Sequence, residues 1–114
     1  MEHEMRLSAR PYEAVRAGRK RFEIRLMDEK RQRIKVGDTI RFTRLPETAP
    51  HLRVTVLGLR QYATFEELYR DIPLRDIDCE GWTVEELVRS TYEIYTSQQE
   101  LQFGALAIEI EVIP

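Results

Sequence analysis

The chain has 114 residues, 42% hydrophobic and 33% charged, with a formal net charge of −2 and a pI near 5.8. That length suits one domain spanning 1–114, able to bury about two thirds of its unfolded surface without a covalent or metal staple. The charge balance argues against whole-surface coating of DNA, Cys79 stands alone and excludes an internal disulfide, and no apolar run approaches the ~20 residues that cross a bilayer.

In chain order, Met5–Ser8 reads as a short first strand. Pro11 suits the first position of a helix, where a missing N–H costs nothing, and Tyr12, Val15 and Arg16 follow at helical spacing. Gly18 stands where a glycine of positive φ ends such a helix. From Arg21 to Leu26, Phe22, Ile24 and Leu26 alternate with Arg21, Glu23 and Arg25, which predicts a strand with one apolar and one charged face. Met27–Arg33 is a polar connection, Gly37-Asp38 a turn, and Thr39–Thr43 a second alternating strand. Pro46 to Pro50 reads as a loop.

Leu52–Tyr62 predicts a long strand with Val54, Val56 and either Leu57 or Leu59 inward, and a bulge or bend at Gly58. Thr64 with Glu67, and Thr83 with Glu86, have capping-box spacing and open two more short helices. Phe65, Leu68 and Tyr69 supply the apolar face of the first, which Pro73 ends; Leu87, Val88 and Thr91 belong to the second. Asp71–Glu80 is an acidic connection between them. Phe103–Ile113 closes the chain as a strand. About five strands and three short helices point to an α+β fold, a small mixed β-barrel flanked by helices. A doubly wound sheet is disfavoured because no glycine-rich phosphate loop follows the first strand.

Charge is segregated along the chain. Residues 6–44 carry thirteen Lys and Arg against five Asp and Glu, a net of +8, while residues 45–114 carry −8. If the fold keeps the early segment together, it forms a cation-lined site for an anionic ligand. His3 and His51 lack metal-ligand neighbours, so neither a zinc site nor any other metal or cofactor is expected. The lone cysteine and the start MEHEMRLS set the expectation of a reducing cytoplasm and no membrane attachment.

These pieces carry a resemblance. Pro11-Tyr12, Gly18-Arg19-Lys20, Glu23-Ile24-Arg25, Lys35-Val36-Gly37-Asp38, Phe65-Glu66-Glu67-Leu68-Tyr69, Tyr95-Thr96-Ser97 and Phe103 to Ile108 appear in the order found in the ASCH domain family of the PUA-like superfamily. The resemblance implies a PUA-like barrel with a cleft beside the glycine-lysine turn. It also implies RNA or a modified nucleoside or nucleotide as ligand. The chain is similar to the small bacterial acetylcytidine amidohydrolases of this family. Their catalytic lysine matches Lys20, and their catalytic glutamate looks like Glu80 ahead of Thr83-Val84-Glu85-Glu86-Leu87. Their catalytic threonine falls on Glu23, which replaces a hydroxyl by a carboxylate and puts the amidohydrolase reaction in doubt.

Read on their own chemistry, the same residues divide as follows. Lys20 after a glycine turn is a base, a nucleophile, a phosphate ligand or an exposed turn lysine. Glu23 and Arg25 leave one strand face together, so they serve either as a recognition pair or as a rigidifying salt bridge with Lys20. Arg31, in the basic run from Lys30 to Lys35, is a phosphate-backbone contact or part of a solvated loop. Tyr95 offers a stacking plane or packs in the core, and Trp82 is a stacking residue or an anchor. Ser97 has no histidine or elbow motif nearby, so it is a ligand contact and not a serine nucleophile. The expected function is binding of RNA or a modified nucleoside or nucleotide through Lys20, Glu23, Arg25, Arg31, Tyr95 and Ser97. The alternatives are a metal-independent amidohydrolase or weak ribonuclease using Lys20 and Glu80, and a protein-interaction module using the acidic half.

Overall fold

The structure, a computed structural model, describes residues 1–46 and 51–114, so most of the expected loop from Pro46 to Pro50 lies outside the described residues. The elements are β1 (Glu2–Leu7), α1 (Ala9–Arg16), β2 (Phe22–Leu26), β3 (Thr39–Arg44), β4 (His51–Tyr62), α2 (Phe65–Asp71), α3 (Val84–Thr91), α4 (Ser97–Phe103) and β5 (Ala105–Val112). Short 3₁₀ turns occupy Arg31–Arg33 and Leu74–Asp76. The strands form one sheet in the order β1-β3-β4-β5-β2, with β1 parallel to β3 and every other pair antiparallel. The sheet curls into a half-barrel whose two edges, β1 and β2, border its open seam.

Two apolar clusters lie on its two faces. Met5 and Leu7 of β1, Ile40 and Phe42 of β3, Val54 and Val56 of β4 and Leu106, Ile108 and Ile110 of β5 meet Tyr12 and Val15 of α1. On the other face Phe22, Leu26, Ala105 and Ala107 meet Phe65, Leu68 and Tyr69 of α2 and Leu87 of α3. β5 is therefore buried through both parities at its start, and its alanines leave room for the helices. In β4 the register slips between Val56 and Gly58, which moves the inward set from Val54 and Val56 to Leu59 and leaves Leu57 44% exposed.

Several expectations shift. β1 starts three residues earlier than Met5, and Pro11 sits at the third helical position of α1, still inside the turn whose N–H groups lack helical partners. Thr83 and Glu86 form a full capping box. Thr64 caps α2 through the Glu67 N–H, but the Glu67 carboxylate accepts from Ala63 and not from Thr64, so that box is incomplete. A fourth helix, α4, takes Phe103 out of the last strand; a second capping box, Thr96 with Gln99, opens it. Gly104 ends it at φ 76°, ψ −176°, where a β-carbon would stand 2.8 Å from the Tyr62 carbonyl.

Asp38 fastens the turn before β3. Its carboxylate accepts from the His3 ring at 2.8 Å and the Lys35 N–H at 3.0 Å, with the terminal amine at 3.3 Å. The His3 bond first, then the Lys35 N–H, holds its carboxyl down to about 2, from an ordinary 3.8. A depressed carboxyl stabilises the fold in full above its ordinary value and loses that contribution as pH falls. Asp38→Asn should therefore melt lower than the parent at pH 7, with the gap closing as pH falls from 3.8 through about 2; thermal melts across that range check it.

Candidate functional site

The site is built where α1 hands over to β2. Gly18, at φ 80°, reverses the chain after Ala17, and the N–H groups of Arg19 and Lys20 both donate to the Ala14 carbonyl at 3.0 Å. Lys20 then bridges to Ile77, and the Arg21 N–H donates to the Asp76 carbonyl at 2.6 Å. The lysine backbone is thus pinned on both sides. In β2 the alternation places Phe22, Ile24 and Leu26 toward the helices. Glu23 and Arg25 leave by the opposite face, opposite Ile108 and Leu106 of β5. That charged face lines a cleft and is largely shielded from solvent.

Glu23 is consequently only 3% exposed. Lys20 Nζ lies 2.7 Å from its Oε1 and Arg25 Nε 2.6 Å from its Oε2. The lysine contact is an ion pair lying off the aligned directions of a hydrogen bond, whereas Arg25 donates a well-formed one. Burial alone would push the Glu23 carboxyl up; the Lys20 and Arg25 charges together outweigh it and hold it below the ordinary range. Arg25 also donates through Nη2 to the Arg6 carbonyl at 3.0 Å, so a β2 side chain ties the two edges of the open seam together.

This triad floors a cleft of about 340 Å³ whose walls come from the end of β1, the start of α1, α2, the loop around Cys79 and the end of α3. Tyr95 borders it with its ring stacked on Phe65, centroids 5.6 Å apart and planes 6° from parallel. Tyr69 also borders it. Thr91 Oγ1 gives its only proton to the Leu87 carbonyl at 2.8 Å, so it must accept from the Tyr69 hydroxyl at 2.7 Å. Burial first raises the Tyr69 phenol, with Cys79, Tyr95 and Glu23 adding to it against the Thr91 bond. Burial likewise pushes the Cys79 thiol up, so at neutral pH this wall carries a thiol and not a nucleophilic thiolate. The cleft thus sets an aromatic side chain beside N–H donors, with one carboxylate ion-paired to two cations.

Of the residues singled out by sequence, Lys20, Glu23, Arg25 and Tyr95 come together in this cleft. Glu80 does not join them. It is exposed and lines a separate hollow with Arg19, Arg21 and Arg75, because the chain bridging Ile77 to Lys20 carries Glu80 past the far side of the turn. Ser97 opens α4 and lines a third hollow with Gln61 and Thr64, away from the triad. Arg31 lies in an adjacent hollow that shares Arg6 and Arg25 with the cleft. Trp82 is half-exposed and lines none of these hollows, which leaves it outside the cleft. Sequence reasoning missed Tyr69, Thr91 and Arg6 as walls; only Tyr69 carried a signal, a phenol on an apolar helical stripe. Among the described residues no group of three or more His, Cys, Asp or Glu is placed to hold a metal, and no helix is long and apolar enough to cross a membrane.

A curled five-stranded half-barrel with flanking helices and a cleft at its seam is a PUA-like fold. The profile of the ASCH domain matches residues 4–114, and the chain belongs to that family. It is similar to the hypothetical protein PH0355, at 36% identity, with a TM-score of 0.88 over 99% of this chain and 100% of that one. It is also similar to protein PF0455 from Pyrococcus furiosus, at 33% identity and a TM-score of 0.78, covering 99% and 98% of the two chains. An ASCH domain from Lactobacillus crispatus shares the fold, with a TM-score of 0.62 at 14% identity over 97% of this chain and 79% of that one. No curated protein matches the chain.

Proposed function

We propose that this ASCH domain, occupying 1–114 in the cytoplasm, binds RNA or a modified nucleoside or nucleotide by taking one base into the Lys20–Glu23–Arg25 cleft. The observation that carries the reading is the pairing of a donor-rich floor with Tyr95, an aromatic plane braced by Phe65. Lys20 pairs with Glu23 by charge, Arg25 spends one N–H on Glu23 and another on the Arg6 carbonyl, and both retain N–H groups for the carbonyl oxygens of a base. A base stacked on an aromatic ring gains about 1–3 kcal/mol, and the volume of the cleft lies within the range of small-ligand sites. The amidohydrolase alternative needs Lys20 and Glu80 in one pocket, and Glu80 lies outside it.

Titration with nucleosides, nucleotides and short single-stranded RNA tests the reading. Lys20→Ala and Tyr95→Ala should each weaken binding about tenfold or more, from one lost charge-assisted bond and one lost stacking plane. A saturable signal unchanged in both variants would place the ligand elsewhere, and no signal at all would end the reading.

A further inference from the structure

The floor of the cleft has a fixed hydrogen-bonding polarity. Lys20 Nζ sits against Oε1 of Glu23 and Arg25 Nε against Oε2, so the order across the floor is cation, carboxylate, cation. An ammonium and a guanidinium only donate, and an ionised carboxylate only accepts. Burial opposes that ionisation, but the two cations outweigh it and hold the Glu23 carboxyl below the ordinary range. The floor therefore reads donor, acceptor, donor, and no tautomer reverses it. Its central acceptor is also incompletely used. Oε2 takes an aligned bond from Arg25, whereas the buried Oε1 takes no aligned hydrogen bond among the described residues and has only the off-axis Lys20 charge. A buried acceptor in that condition gains from a well-aimed N–H. Lys20 is the member that can make room. Its ammonium is a point charge on a flexible stem, able to turn from Oε1 onto a neighbouring carbonyl.

A base answers such a floor with the opposite pattern: carbonyl, N–H, carbonyl. Of the four bases of RNA only uracil carries it, as O2, N3–H and O4 along its pairing edge. Cytosine and adenine turn an exocyclic amine toward a cation and a bare ring nitrogen toward the carboxylate. Guanine turns its 2-amino group toward a cation, and its other edge, O6 and N7, offers the carboxylate no proton. The geometry points to a uracil reader, in which Glu23 accepts from N3–H while Lys20 and Arg25 donate to the two flanking carbonyls. This rests on the base-cleft reading and names the base that the cleft takes. A uracil modified away from its pairing edge keeps the pattern, and one methylated at N3 loses its centre. A free uridine and a uridine within a strand share this chemistry.

The test is titration of the parent protein with uridine, 3-methyluridine, cytidine, adenosine and guanosine, and with octamers of uridine and of cytidine. Uridine should bind about tenfold or more tighter than the other three unmodified nucleosides, the scale for one charge-assisted bond left unmade in a buried site. 3-Methyluridine keeps the ring and both carbonyls but sets a methyl against Glu23, so it should bind no better than cytidine. Glu23→Gln, whose amide both donates and accepts, should shrink the preference for uridine over cytidine to a few-fold. The ligand series on the parent decides the inference even where that variant is too unstable to titrate. A uridine octamer far tighter than uridine, with the same preference over cytidine, supports the reading for a strand; equal affinities support it for a free nucleoside. Cytidine, guanosine or 3-methyluridine binding as tightly as uridine, or an undiminished preference in folded Glu23→Gln, would overturn the uracil reading while the base cleft stands. Absence of binding by every nucleoside and octamer would remove the cleft and the reading together.

Discussion

Glu23→Gln should cost about 3 kcal/mol of stability at pH 7, the scale for breaking a buried ion pair. Glu23 is 3% exposed and answers two cations, whose side chains are themselves only 15% and 14% exposed. A glutamine keeps the shape and removes the charge, leaving Lys20 and Arg25 facing each other across a neutral amide at a largely buried position. The parent should be the more acid-sensitive of the two. The Glu23 carboxyl is held below its ordinary 4.5, so its stabilisation is complete above that value and disappears as pH falls through the lower, folded value. The glutamine variant has nothing to lose there. Urea unfolding at pH 7 and again near pH 3 should show a wide gap that narrows on acidification. Lys20→Met supplies the control. With one cation gone, burial is opposed by Arg25 alone, and the carboxyl should move up, carrying the acid transition to higher pH. A glutamine variant as stable as the parent at pH 7 would mean that the triad is incidental to the fold.

That buried charge also shows where the sequence stops being readable. The alternation from Arg21 to Leu26 placed Glu23 and Arg25 on one face, and a salt bridge with Lys20 was among the expected outcomes. Which face is inside depends on the neighbour. β2 pairs only with β5, and β5 is covered on both sides, so the charged face of β2 meets the interior just as the apolar face does. Nothing within residues 21–26 records that. The seam is equally silent, since β1 and β2 approach only because β3, β4 and β5 lie between them in the sheet. Arg6 and Tyr69 become cleft walls through that closure and not through any local pattern. Local signals did better where they are local in physics. The Thr83–Glu86 box, the Gly18 reversal and the Gly58 irregularity are all present. α4 escaped because only Glu100 of its residues is buried and Leu101 is 89% exposed, which leaves no apolar stripe, although Thr96 and Gln99 spell out its start. Glu80 was placed by resemblance alone, and the chain geometry after Ile77 takes it elsewhere.

Phe65 should separate the two roles of its neighbourhood, holding the helices and aiming the cleft. Its ring is fully buried and stacks on Tyr95, with Tyr69 6.5 Å away. Its N–H donates at 2.8 Å to the buried Glu100 carboxylate, which also accepts from the Tyr92 hydroxyl at 2.5 Å. Phe65→Ala deletes a core ring and should cost about 3–5 kcal/mol. Phe65→Leu keeps most of the volume and the backbone bond to Glu100, so its cost should stay under about 1.5 kcal/mol. What the leucine cannot supply is the flat surface behind Tyr95. Ring pairs of this kind contribute about 0.5–1.5 kcal/mol beyond burial, and here that energy fixes the plane of the Tyr95 ring at the cleft. The Phe65→Leu protein should therefore unfold nearly like the parent yet bind nucleotides several-fold more weakly, and combining it with Tyr95→Ala should add little, because both changes remove the same stacking surface. Urea unfolding and ligand titration on the three variants measure the two effects separately. Full additivity in the double variant would show that Phe65 acts on the cleft by a route other than Tyr95.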